Sequence, residues 1–128
     1  MDAHSTFVLD RFDNSDPYEA HPSAPFNEAE IGKTFTGDLD ATSTVRMLAC
    51  RGDGGAGYVA LERITGTLGG KRGSFAVLHI GTMDGGGTWA KWPISPGSGT
   101  DELAGIRGEG TIEIIDGVHH FRLSYELG

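Results

Sequence analysis

A single cysteine, Cys50, stands among 128 residues. An intramolecular disulfide is therefore excluded, and such sparse thiol usage fits a reducing cytoplasm. Long apolar runs are also missing: none approaches the ~18 residues of a membrane-spanning helix. The opening stretch MDAHSTFVLD has neither a basic n-region nor an apolar h-region, so it does not read as a secretory signal. Basic residues are few, 10 against 18 acidic ones, for a net charge of −8. That balance opposes nucleic-acid and anionic-membrane partners, which need a basic surface to neutralise phosphates.

Helical periodicity is absent over any stretch of helical length. So are the motifs of metal and nucleotide chemistry: no HExxH, no cysteine cluster and no GxSxG occurs. GDGGAG at 52–57 matches GxGxxG but leads into a strand, where the dinucleotide fingerprint needs a helix. GTLGGKR lacks the spacing and hydroxyl of a phosphate-binding loop, and RGD at 51–53 reads as a turn. His119 and His120 are adjacent, so on a strand they point to opposite faces and do not chelate one metal together. Neither metal nor cofactor is expected.

Glycine is what the chain has in excess, 21 residues placed between short apolar runs. Eight runs have strand character: about 5–12, 31–39, 43–51, 57–68, 72–83, 87–94, 104–115 and 118–127. Asp116-Gly117 suits a type I′ hairpin turn, and Gly69-Gly70 and Asp84-Gly85-Gly86 mark two more. The expectation is an all-β single domain over 1–128, an antiparallel meander closed into an eight-stranded barrel. Closure removes the sheet edges, and eight strands enclose side chains or one small ligand. Residues 13–30, with Pro17, Pro22 and Pro25, break the rhythm and are expected to form a long loop or lid.

Alternation assigns faces. In 118–127, His119, Phe121, Leu123, Tyr125 and Leu127 share one side; in 104–115, Ile106, Gly108, Gly110, Ile112 and Ile114 face inward. The two interior glycines leave space for close strand packing or for a ligand. Phe75, Val77 and His79 share the bulkier face of 72–83, which turns Leu78 and Ile80 outward as a candidate subunit interface. Glu62 and Arg63 are adjacent, so one of the two ionisable groups faces the interior whichever register holds, and it needs a partner there.

His79 and Glu62 are the candidate catalytic residues. An imidazole in an apolar strand is either a hydrogen-bonded core residue or a base near neutrality. A carboxylate inside a barrel is either ion-paired or raised in pKa. Tyr125, Phe75, Phe121, Arg63 and Trp89 are the candidate ligand contacts. Trp89 and Trp92 lie on opposite faces, one in the core and the other at the mouth or an interface.

The segments KTFTGDL, GYVALERITGTLGGKRGSF, HIGTMDGGGTW and PGSGTDELAGIRGEG follow one another from Lys33 to Gly110, and FRLSYEL lies near the C-terminus. In this order they resemble a bacterial family known as domain of unknown function 3224. The resemblance implies an eight-stranded antiparallel barrel similar to that of allene oxide cyclase. It also makes the Glu62-Arg63 pair, His79 and the PGSGT segment family features. The chain departs from the family pattern at Met83, where phenylalanine is common, and matches it weakly over the first thirty residues. Other proteins on this barrel include cofactor-free cyclases or isomerases and stereochemistry-guiding binders, which sets an expectation by analogy.

Three functions follow as expectations. One is a lumen that binds a small, largely apolar molecule and isomerises or cyclises it without a cofactor. The second is a non-catalytic carrier with the same pocket. The third is a structural oligomer with a filled lumen; a homo-oligomer is compatible with all three.

Overall fold

A computed structural model describes residues 1–128. Eight strands follow the chain: β1 (Asp2–Asn14), β2 (Phe26–Gly37), β3 (Leu39–Gly52), β4 (Gly55–Leu68), β5 (Lys71–Asp84), β6 (Gly87–Pro93), β7 (Arg107–Ile115) and β8 (Val118–Glu126). Each pairs antiparallel with the next, and β1 pairs with β8, so the sheet closes into a barrel in sequence order. Closure removes the free edges except at the β6–β7 seam, which is paired only at Trp92–Gly110 and Pro93–Glu109. No helix is long and apolar enough to cross a membrane.

The turns are as short as the glycine spacing implies. Asp116 and Gly117 both have positive φ, 50° and 80°, the backbone of a type I′ turn between β7 and β8. The connection between the first two strands is shorter than the expected loop over 13–30. β1 runs on to Asn14 and β2 begins at Phe26. Asn27, Ala29 and Ile31 continue the inward alternation, while Glu28 and Glu30 turn outward to Arg46 and Arg11 at 2.7 and 2.9 Å. The charged outward positions hid a two-sided strand. The remaining segment is exposed; it contacts the β2–β3 wall, with the Arg51 amide bonding the Pro25 carbonyl.

The stretch 104–115 is also divided. Asp101–Leu103 forms a 3₁₀ turn, and β7 starts only at Arg107. Leu103 and Ile106, each 1% exposed, plug the end of the barrel that we call the base. The opposite end, with the β3–β4, β5–β6 and β7–β8 hairpins, is the rim. Ile114 was expected inside; its strand position outlasts the barrel wall at the rim, and it is 63% exposed.

Fifteen buried residues, including Phe7, Phe35, Phe75, Val77, Phe121, Leu123 and Tyr125, form one apolar cluster reaching the base. A second, small cluster of Ile31, Val45 and Ala60 packs with Met47 on the rim side. The choice between packing and ligand space at the inner glycines falls to packing. A Cβ on Gly110 would lie 2.5 Å from the Phe121 ring, and one on Gly108 would collide with the Ser124 carbonyl.

Candidate functional site

Between the two apolar clusters lies a polar layer that follows directly from strand alternation. On β2, Lys33 sits between Ile31 and Phe35; on β3, Ser43 sits between Ala41 and Val45; on β4, Glu62 sits between Ala60 and Ile64. In each case the base-side neighbour belongs to the large cluster and the rim-side neighbour to the small one. The period of two turns all three polar side chains inward with their apolar neighbours. His79 joins them from β5, where it pairs with Ala60.

Glu62 is the hub. Its Oε1 lies 2.8 Å from His79 Nε2 and 3.3 Å from Lys33 Nζ, and Ser43 Oγ donates to Oε2 at 2.6 Å. The Lys33 ammonium also stands 4.5 Å from the centroid of the Phe7 ring, a cation–π contact. Glu62, Lys33, His79 and Ser43 are all buried. Burial pushes the Glu62 carboxyl upward. The His79 hydrogen bond, the Lys33 and His79 charges and the Ser43 hydroxyl together outweigh it and hold the group below 4.5.

An ionised carboxylate only accepts hydrogen bonds. When His79 is neutral its proton therefore sits on Nε2, facing Glu62, and Nδ1 carries the lone pair; when it is charged, both nitrogens carry protons. That assignment rests on the hydrogen-bond network. Nδ1 makes no hydrogen bond within the protein, so it is the one basic atom of the layer left available.

Trp92 on β6 meets the His79 ring edge-on, with centroids 6.3 Å apart. Its indole Nε1 is buried and makes no hydrogen bond of full geometry. Burial raises the pKa of the neighbouring Tyr58, and hydrogen bonding with the Trp92 side chain opposes that shift, so the Tyr58 hydroxyl is the group the indole N–H serves within the protein. The Tyr58 ring covers Gly81.

The candidate residues divide accordingly. Glu62, and not Arg63, faces the interior; Arg63 is exposed on the outer wall, because the register that buries Ile64 and Ala60 buries Glu62 with them. Trp89 is 49% exposed and paired with outward Thr82, so the inner tryptophan is Trp92. Phe75, Phe121 and Tyr125 are buried in the large cluster, with the Tyr125 hydroxyl at the Gly69 turn of the base, away from the polar layer. Of the candidate set, only Glu62 and His79 meet in the polar layer. Lys33 and Ser43 were missed, although a lone lysine in phase with Ile31 and Phe35 is a readable signal of an inward cation. Recesses of about 420 and 550 Å³ lie along the wall of β3–β5, where Leu48, Val59, Leu61, Leu78 and Ile80 project outward.

The fold and its interior define a class: a closed eight-stranded meander barrel with an ionised carboxylate–imidazole pair in its core. Residues 3–125 match the family described as "Protein of unknown function (DUF3224)", and the chain belongs to that family. It is similar to a solved structure from Shewanella oneidensis MR-1, described as a protein with unknown function from the DUF3224 family. The two share 30% sequence identity and a TM-score of 0.92, over 100% of this chain and 98% of that one. No curated protein matches the chain.

Proposed function

We propose that the barrel interior beside His79 binds a small, largely apolar molecule carrying one oxygen, and that His79 moves a proton on it without a cofactor. The observation that carries this reading is the buried Glu62–His79 contact of 2.8 Å. A buried ionic cluster is a weak stabiliser, since apolar side chains of equal volume do the structural work as well or better. A cluster that leaves one imidazole nitrogen free therefore points to a site.

In this reading His79 Nδ1 is the catalytic base. It takes a proton from the carbon between the ligand's carbonyl and a carbon–carbon double bond; the C–H pair forms a new C=C bond as the carbonyl π pair moves onto oxygen. The imidazolium returns the proton to the far carbon of the original double bond as the carbonyl reforms, so the double bond shifts and no redox change occurs. The Tyr58 hydroxyl, oriented by the Trp92 indole N–H, serves the ligand oxygen. Glu62 is then a positioning residue that fixes the tautomer and balances the charge on His79 during transfer. An isomerisation or cyclisation of a flexible substrate fits these parts.

Native mass spectrometry of freshly purified protein tests the reading. A co-purifying adduct is expected, weakened in Trp92→Phe. Conversion of that molecule should be lost in His79→Ala and reduced in Glu62→Gln. A ligand that stays bound and unchanged in every variant would favour a carrier. The absence of any adduct would favour the filled structural barrel, a reading supported by the Tyr58 and Phe121 rings that occupy the space over Gly81 and Gly110.

A further inference from the structure

The outer wall carries two apolar surfaces with opposite electrostatic frames. The first is the β3–β5 face, with Leu48, Val59, Leu61, Leu78 and Ile80 exposed. The second is a lip on the rim, where β1 contributes Val8, Leu9 and Phe12 and the β7–β8 hairpin contributes Ile114, Ile115 and Val118, all exposed. In the closed strand order β4 and β8 are four places apart in a ring of eight. The face and the lip therefore lie on opposite sides of the barrel.

Charge divides the same way. Residues 39–93 hold six basic residues and four acidic ones, of which Glu62 is buried; the rest of the chain holds four basic and fourteen acidic. Arg46, Arg63 and Lys91 frame the β3–β5 face; Arg46 is paired with Glu28, whereas neither Arg63 nor Lys91 has an acidic partner within the chain. Asp10, Asp13, Glu30, Glu113 and Asp116 stand around the lip against one basic side chain, Arg11, which pairs with Asp13 and Glu30.

We propose that the basic-framed β3–β5 face of one copy docks on the acidic-framed lip of a second copy, in a head-to-tail, heterologous association. Charge complementarity selects this occupant. Two β3–β5 faces set against each other would bring like charges together, which suppresses the isologous arrangement. Because face and lip are on opposite sides, each copy has both free at once, the condition for a heterologous contact. The inference is independent of the chemistry proposed for the interior.

The test uses the full chain and two single substitutions at exposed positions, Leu61 at 60% and Ile114 at 63%. Leu61→Asp sets an acid against the acidic lip; Ile114→Lys sets a base against the basic face. Sedimentation at low ionic strength should show the native chain above monomer mass, with association weakened at least several-fold in high salt. Each variant alone should be monomeric, with its thermal unfolding temperature close to native as the check on folding. Mixed in equal amounts, the two should form a 1:1 dimer, because the intact lip of one meets the intact face of the other. A monomeric native chain overturns the proposal, as does Ile114→Lys associating like the native chain, or a mixture that stays monomeric.

Discussion

The base of the barrel and the polar layer above it fill the same lumen with opposite chemistry. At the base, Phe35, Phe75, Leu103 and Ile106 are almost wholly buried and carry no side-chain polar atom. In the layer, Lys33, Ser43, Glu62 and His79 are comparably buried and linked by three contacts to one carboxylate. The base gains stability from every side chain in proportion to the surface it removes from water. The layer is conditional: each member is tolerated only because the others are present. Specificity of chemistry and robustness of fold are thus assigned to different heights of one barrel.

The largest effect is expected where the base is hollowed. Phe75→Ala should cost about 4 kcal/mol of unfolding free energy, the sum of lost transfer energy and a residual cavity, as read by urea denaturation. Breaking the layer should come next. Glu62→Gln leaves the Lys33 ammonium buried without a counter-charge and should cost about 3 kcal/mol. Replacing the whole ionic group, as Lys33→Met/Glu62→Leu/His79→Phe, should restore native stability or exceed it by about 1 kcal/mol. A triple variant as unstable as Glu62→Gln would mean that the layer is a structural necessity and would erase the contrast with the base.

Acid separates the regions without mutation. The Glu62 pKa is depressed in the fold, so ionised Glu62 contributes stability at pH values above 4.5. That contribution is lost as the pH falls through the lower folded value. The stability gap between the native chain and Glu62→Gln should therefore narrow as acid is added below pH 4.5, while the cost of Phe75→Ala stays constant. Chemical denaturation at a series of pH values reads both. A gap that widens in acid would show that Glu62 is not the ionised hub.

The two regions also differed in how far the sequence revealed them. Strand number, order and the Asp116-Gly117 turn were legible because turn residues and alternation are local signals. The inward set Phe75, Val77 and His79 followed from bulk on one face. The choice between Glu62 and Arg63 was not legible, since adjacent charges balance and only the partners on β2 and β3 decide. Lys33 lies 29 residues from Glu62, and that contact exists only because the barrel brings β2 within reach of β4 across β3. Which of Trp89 and Trp92 is the inner one stayed open, and Trp89 was named as the ligand contact, for a similar reason: the answer depends on the pairing of Ala90 with Gly81, a register that β6 alone does not specify.

Arg63→Ala should have the smallest effect, and it sharpens the contrast between the two sides of β4. Arg63 and Glu62 are neighbours in the chain, yet one is solvated and the other enclosed. An exposed guanidinium without an ion-pair partner contributes little to stability, so the substitution should change unfolding free energy by less than about 0.5 kcal/mol. The ¹⁵N signature of His79, with the proton on Nε2, should be the same in Arg63→Ala as in the native chain. In Glu62→Gln the amide offers the imidazole either an oxygen or an N–H, so the tautomer is no longer fixed and the signature should change. If Arg63→Ala moved the His79 signature as Glu62→Gln does, the wall of β4 would not insulate the layer from its outer face, and the interior could no longer be treated as a separate site.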